Sequence, residues 1–446
     1  MNKKILVWLI PLFAVLLPAG FTPPTASAQS PVCAEEYTVQ TDDWLSNISA
    51  KFLGEVTAYP AIAAITNQQH ANDSTFAKIT NPDELEVGWK ICIPTAESAP
   101  AWLTATTDTN ALSLSGGLTV TDALGRSVSF DAPPQRIVVA GKAIFMLADA
   151  LYMFPAGVER VVTLPSGGQS IGDFLSLVDP AFNQKTFLEN NAGPEQIAAA
   201  QPDVVILKSY MAEKLGTPLE QLGIPVIYID LETPAQYQRD LTTLGQLLGT
   251  PERAAAILDF YQQRVDQVSQ AMAGLSDDEK PRVLLVQYSD KGSTVAFKVP
   301  PTGWIQTMLV EMAGGTPIWG EAAIGGGWTI VSFEQIAAWD PDQIFVIDYF
   351  GDPQQVVDTI NADPQWQSLS ATENGQLYAF PKDFYSWDQP DPRWILGLEW
   401  LATKIQPDRM ERIDMRQEIN QFYTETYGLT PTTIENKVMP KVQGLP

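Results

Sequence analysis

Beyond residue 118 the chain alternates short apolar runs with stretches of helical periodicity. Arg136-Ile-Val-Val-Ala140, Val161-Val-Thr163, Asp203-Val-Val-Ile-Leu207 and Pro225-Val-Ile-Tyr-Ile229 are short near-continuous apolar strands, with helix-like segments at Ala143–Leu151 and Pro194–Ala200 between them. Val283-Leu-Leu-Val286, Gln343-Ile-Phe-Val-Ile347 and Leu377-Tyr-Ala-Phe380 continue the pattern. Apolar strands separated by helices predict a parallel sheet covered on both faces, the α/β class. From Thr250 to Ala273 the apolar residues Ala254, Ile257, Leu258, Tyr261, Val265, Val268 and Met272 recur at helical spacing. Thr250 is placed to cap this helix, Pro251 suits its first turn and Glu252 its positive end.

The chain also repeats itself. Glu195-Gln-Ile-Ala-Ala-Ala-Gln-Pro-Asp-Val-Val205 is echoed 139 residues later by Glu334-Gln-Ile-Ala-Ala-Trp-Asp-Pro-Asp-Gln-Ile344. In each copy a short helix ends near a proline and an aspartate opens a buried strand. Two related Rossmann-like lobes, at 118–248 and 276–446, joined by a long helix at 249–275, explain this better than one large sheet. The second lobe closes with a C-terminal helical extension.

The first 95 residues read differently. Lys3 and Lys4 precede an apolar run from Ile5 to Gly20 that Pro11 and Pro18 interrupt, and Ala26-Ser27-Ala28 offers small residues for cleavage. This is the pattern of a signal peptide over residues 1–28, too short and broken for a membrane span. Cys33 and Cys92, the only cysteines, suggest a disulfide in an exported chain, with two free buried thiols as the alternative. Between them lie a strand at Tyr37–Gln40, a helix at Trp44–Phe52, a second helix at Pro60–Thr66 and a closing strand at Lys90–Ile93. This β-α-α-β unit fills residues 33–95, and an Ala/Ser/Thr-rich flexible linker follows at 96–117. His70, in the polar stretch Gln68–Ser74, reads as a solvated loop residue.

Composition narrows the function. With 52 acidic and 27 basic side chains the net charge is −25, which excludes a nucleic-acid binder and argues against docking on an anionic membrane. One histidine cannot build a multi-histidine zinc site, and the large domain lacks one for a Ser-His-Asp triad.

The small unit resembles a LysM domain through Tyr37-Thr38-Val39, Asp43, Leu45, Ala61-Ile62, Asn67 and Val87-Gly88-Trp89-Lys90-Ile91-Cys92-Ile93-Pro94. It has Asp42-Asp43-Trp44 where that family usually has Gly-Asp-Thr. The resemblance implies binding of N-acetylglucosamine glycans such as peptidoglycan, with Thr41, Asp43 and Asn67 as sugar contacts.

Residues 118 to about 430 resemble the helix-bridged (cluster A) substrate-binding proteins of ABC importers, the iron–siderophore, haem and corrinoid group. The resemblance rests on Val120-Thr-Asp-Ala-Leu-Gly-Arg-Ser-Val128, Pro134-Gln-Arg-Ile-Val138 and both Glu-Gln-Ile-Ala-Ala blocks. Leu309-Val-Glu-Met-Ala-Gly-Gly315 and Phe384-Tyr-Ser-Trp-Asp388, leading into Pro392-Arg-Trp-Ile395, complete it. It implies a binding protein rather than an enzyme, without a cofactor or structural metal. The expected chain is a monomer with an ABC permease dimer, a small-molecule metal chelate and peptidoglycan as partners, outside the cytoplasmic membrane and on the cell wall. Glu195 and Glu334 are the implied permease contacts.

Ligands of open α/β sheets lie beyond the carboxyl ends of the strands. That places Lys142, Lys208 and Tyr210 on the first lobe at the mouth of a cleft. On the second lobe it places Tyr288, Tyr349, Tyr385 and Trp387 there, with Lys298, Trp304, Trp328 and Lys382 in loops reaching the same mouth. Aromatic side chains bury much area at little entropy cost and suit a large chelate, and scarce lysines attract an anionic one. Singly, each residue is as readily core or solvated surface. A ferric siderophore is the first expectation, then corrinoid or tyrosine-ligated haem, then molybdate or tungstate. The rivals of another class are a cell-wall glycan hydrolase and a scaffold protein. Against the hydrolase, the chain has no phosphate-binding Gly-x-x-x-x-Gly-Lys, and its one Gly-x-Ser-x-Gly match, Gly168–Gly172, lies in a domain without a histidine to activate Ser170.

Overall fold

A computed structural model describes residues 33–40, 43, 45–54, 58–79, 85–95, 98, 117–166, 171–189, 191–291, 294–323 and 325–445. The expected signal peptide and nearly all of the linker lie outside these residues. The chain divides into two compact units, Met1–Leu112 and Ser113–Pro446.

In the small unit, strand β1 (Glu35–Thr38) pairs antiparallel with β2 (Lys90–Ile93). Helices Leu45–Leu53 and Tyr59–Asn72 cover the pair. Val39, Leu45, Ile48, Ile62, Ile79, Ile91 and Ile93 form its core. A core this thin gains from a covalent tie, and Cys33 and Cys92 supply one as a disulfide beside Ile65 and Phe76. The second helix runs past Thr66 and carries His70, which is half-buried with Nδ1 2.7 Å from the Phe76 carbonyl. His70 is therefore a local brace, where a solvated loop residue was expected.

The large unit begins with a hairpin of β3 (Leu118–Thr121) and β4 (Ser127–Phe130). Five parallel strands follow: β5 (Ile137–Val139), β6 (Val161–Pro165), β7 (Thr186–Leu188), β8 (Val204–Leu207) and β9 (Val226–Tyr228). They lie in the order β7-β6-β5-β8-β9. The second sheet is built from β10 (Arg282–Lys291), β11 (Thr294–Val299), β12 (Thr316–Pro317), β13 (Thr329–Val331), β14 (Gln343–Ile347) and β15 (Leu377–Ala379). Its order is β13-β11-β10-β14-β15, with β12 on β10. Here the expectation of a wholly parallel sheet is corrected. β10 outruns its apolar half and turns back as a hairpin, so β11 runs antiparallel to β10 and pairs antiparallel with β13. The polar continuation Gln287-Tyr-Ser-Asp-Lys291 does not read as buried strand, and so the sequence hid this hairpin.

The repeat has a physical basis in backbone ties. The helices Pro194–Ala198 and Phe333–Trp339 are followed by Gln201 (φ 50°) and Asp340 (φ 42°), both left-handed although neither is glycine. In the first lobe Arg136 holds the turn by donating to the Gln201 and Ala200 carbonyls, at 2.9 and 2.7 Å. In the second, Arg282 donates to those of Asp340 and Trp339, at 2.9 and 2.6 Å. Asp203 and Asp342 complete the arrangement by accepting the Arg136 and Arg282 backbone N–H groups.

The connecting helix is Pro251–Met272, 22 residues or roughly 33 Å at 1.5 Å per residue. Thr250 does not cap it, and its hydroxyl is buried without a partner. The helix packs against Pro234–Leu248 so closely that a Cβ on Gly245 would lie 2.4 Å from Ala254 Cβ. The C-terminal helix Met415–Tyr427 reaches the connecting helix, whose Arg253 donates to the Glu425 and Thr426 carbonyls, and also the first lobe, where Tyr427 donates to the Asp149 carbonyl. The lobes thus share one continuous core instead of hanging on a single rod.

Candidate functional site

The loops after the parallel strands of both lobes meet. Phe145, in the helix after β5, stacks on Tyr385 in the loop after β15, with ring centroids 4.9 Å apart and planes 11° apart. Phe174, in the helix Ile171–Val178, packs on Phe384 at 5.3 Å.

Behind this contact lies a wholly buried polar knot. The Arg393 guanidinium bonds Asp149 of the first lobe at 2.7 Å, and Asp391 and Asp383 of the second at 2.8 and 2.9 Å, all without exposure. Three carboxylates around one cation leave excess negative charge in a dry site. Burial pushes the Asp149 carboxyl well above the ordinary carboxylate range, Arg393 opposing and Asp391 adding to the shift. The signal that marks this residue in the sequence is a lone acid within the apolar helix Ile144–Tyr152.

At the outer edge of the same seam, Asp173, Tyr349, Phe350, Lys382, Phe384 and Lys441 help line a cavity of about 710 Å³. That is within the range of small-molecule sites, roughly 300–1,000 Å³. Phe350, 75% exposed, stands at its lip.

Three of the expected ligand contacts come together beside it. Trp304 meets Trp328 edge-on at 5.8 Å, and Trp328 meets Tyr349 at 6.1 Å, all three half-exposed. They arrive from separate segments. Trp304 precedes the helix Ile305–Met312, Trp328 precedes β13 and Tyr349 follows β14.

The other expected contacts fare differently. Lys142 and Tyr210 stay exposed at the strand ends of the first lobe, Tyr210 by 58%. Tyr288 is half-buried against Phe297, 5.9 Å away. Lys298 sits within β11, paired with Gln287, where a loop was expected. Lys208 is fully buried, donating to the Asp230 carbonyl and, at 2.6 Å, to Glu232. Its charge is consumed inside the lobe, so it is no ligand contact here. Tyr385 and Trp387 are likewise core: Tyr385 is stacked in the seam, and Trp387 donates to Asp383 at 3.1 Å. Lys382 is a clamp, its ammonium donating to the carbonyls of Asp348, Tyr349 and Gly351 at 3.1, 3.2 and 3.0 Å.

Glu195 and Glu334 are exposed in the first turns of the two equivalent helices. Backbone N–H donation and the Ser332 hydroxyl hold Glu334 below the ordinary carboxylate range, so it is ionised. In the small unit, Asp43 accepts from the Tyr37 hydroxyl and Gln40 N–H, and Asn67 exchanges two bonds with Ile79. Both side chains brace their own fold. Thr41 lies outside the described residues. Among the described residues no cluster of His, Cys, Asp and Glu could hold a metal ion, and no helix is long and apolar enough to cross a membrane.

Residues 180–384 match the family described as periplasmic binding protein. The chain is 26% identical over 337 residues to the molybdate-binding protein MolA of Haemophilus influenzae, covering 69% of this chain and 90% of that protein. It is 22% identical to the iron-uptake system-binding protein of Bacillus subtilis over 65% of this chain and 86% of that one. Among solved structures, a periplasmic solute binding protein from Veillonella parvula superposes with a TM-score of 0.59. It is 26% identical, covering 73% of this chain and 97% of that one.

Proposed function

We propose that this chain, whose large unit carries the periplasmic binding protein match and fold, is the extracytoplasmic capture component of an ABC importer, with a metal chelate of the ferric-siderophore kind as its cargo. The observation that carries the reading is the half-exposed group Trp304, Trp328 and Tyr349 beside the 710 Å³ cavity where the two lobes meet. Rings of this kind hold a bulky chelate by area, with the indole N–H groups of Trp304 and Trp328 to bond its oxygens. Capture makes and breaks no covalent bond.

Glu195 and Glu334, ionisable and exposed on helices that repeat between the lobes, are the permease contacts in this account. Replacing both by lysine abolishes uptake while leaving ligand affinity unchanged; uptake at the wild-type rate would refute the docking role. The small unit is a LysM-like anchor to peptidoglycan, and sedimentation of the mature protein with purified cell wall, lost on removing residues 33–95, is the corresponding result.

A second reading has one observation in its favour, the similarity to a molybdate-binding relative. Thermal-shift titration with a ferric tris-hydroxamate, a ferric tris-catecholate, a corrinoid and molybdate separates the two. A ligand at a hundred times its Kd stabilises by about 2.7 kcal/mol. Stabilisation by molybdate alone would replace the chelate reading with the oxyanion one.

A further inference from the structure

The ring of Tyr349 faces the mouth, but its hydroxyl points inward. It donates at 2.7 Å to Oδ2 of Asp388, a carboxylate with no exposure. Gln306 Nε2 donates to the same oxygen at 3.1 Å, and the Ser386 hydroxyl donates to Oδ1. These partners belong to three chain segments. Tyr349 follows β14, Ser386 and Asp388 follow β15, and Gln306 lies in the helix that Trp304 opens. One buried carboxylate therefore ties together the segments that carry two of the three rings, and the third, Trp328, is wedged edge-on against both. Lys382 locks the same segment from the other side through the Asp348, Tyr349 and Gly351 carbonyls.

We infer that Asp388 is the positioning residue of this aromatic wall, and that by holding the Tyr349 hydroxyl inward it makes the wall a receptor for ring-face and edge contact rather than a donor of a phenolate to metal. The inference rests on the reading of this mouth as the ligand site and deepens it. Cargo then arrives with its coordination sphere already filled, as a finished chelate. A bare oxyanion has no flat or apolar face for such a wall and falls outside the class. A rigid ring group backed by satisfied buried bonds also loses little freedom on binding, which is where such support acts on affinity.

The test uses full-length wild type, D388N, D388L and Y349F, titrated with a ferric tris-hydroxamate, a ferric tris-catecholate, a corrinoid and molybdate. Wild type binds at least one of the three chelates. D388L binds that chelate roughly tenfold more weakly or worse, while D388N, which keeps an acceptor oxygen for Tyr349, stays within about threefold. A second readout needs no ligand. In alkaline absorbance titration the Tyr349 phenol of wild type resists ionisation, because burial and the adjacent Asp388 charge raise it well above the ordinary tyrosine value. D388L lowers the pH at which that phenol ionises, because the Asp388 charge and hydrogen bond no longer add to burial, and adding Y349F identifies the tyrosine responsible. Chelate affinity unchanged in D388L, or a Tyr349 phenol that ionises just as in wild type, would overturn the positioning role and leave the importer reading standing. Wild type that takes molybdate and refuses all three chelates would overturn the cargo class, again with the importer reading intact. Wild type that takes none of the four would count against both.

Discussion

Glu399 offers a sharp test of the packing described above. It lies in the apolar helix Trp394–Ile405 with no side-chain exposure, and neither carboxylate oxygen has a hydrogen-bond partner. The nearest cation, Arg264 of the connecting helix, is 3.7 Å away and is drawn off by Glu418 at 2.8 Å. Burial, reinforced by the Glu418 charge and only partly opposed by Arg264, lifts the Glu399 carboxyl from 4.5 to about 8. The folded protein therefore holds this proton more tightly than the unfolded chain. The stabilisation is complete below pH 4.5 and is lost as pH rises toward 8. At 1.36 kcal/mol per unit, the loss between pH 5 and pH 7 is roughly 2 to 3 kcal/mol, and roughly 4 by pH 8.5. Glu399→Gln removes the titration, and any cost of its buried amide is independent of pH. Urea unfolding of both proteins at pH 5 and pH 7, followed by tryptophan fluorescence, isolates the effect, because other titrating groups cancel in the difference. The variant gains on wild type by 2 to 3 kcal/mol across that interval. A difference that changes by less than about 1 kcal/mol would show that Glu399 ionises normally and that the helix contact is not dry.

Further expectations follow from single contacts. Arg393→Met leaves Asp149, Asp383 and Asp391 buried without their cation and costs about 3–5 kcal/mol in urea unfolding, whereas an unchanged midpoint would mean the seam contributes nothing. Reducing Cys33–Cys92 releases a tie spanning 59 residues, a loss of about 4 kcal/mol by loop entropy, so under reductant the small unit exchanges its amide hydrogens before the large one. Gly245→Val drives a side chain into Ala254 and lowers stability by about 1–3 kcal/mol, read by thermal unfolding; a neutral result would mean the two helices separate freely.

The residues that spelled out the repeat were legible because the repeat is local. Each copy is a helix, a turn and a strand, and the same residue types serve the same backbone ties. Its deeper cause was not legible, since Arg136 and Arg282 lie far along the chain from the turns they hold. Of the aromatic group, Tyr349 follows the parallel strand β14 as the strand-end rule expects, whereas Trp304 and Trp328 come from loops that only tertiary packing brings beside it. Lys208 misled because its partner is distant in sequence. Scarcity in an acidic chain suggested a free charge, yet Glu232, 24 residues on, consumes that of Lys208. Asp149 and Glu399 carried a readable signal, a single acid in an apolar helix, but which charge answers each of them is decided only by tertiary packing.

The central claim is that the mouth of the large unit holds a metal chelate. Native mass spectrometry with an absorbance spectrum, on protein purified gently from its own host, tests it most directly. The account predicts a bound species of chelate mass with a visible charge-transfer or ring band, lost in a Trp328→Ala variant prepared alongside. Bound molybdate, or a chelate retained equally by that variant, would contradict it.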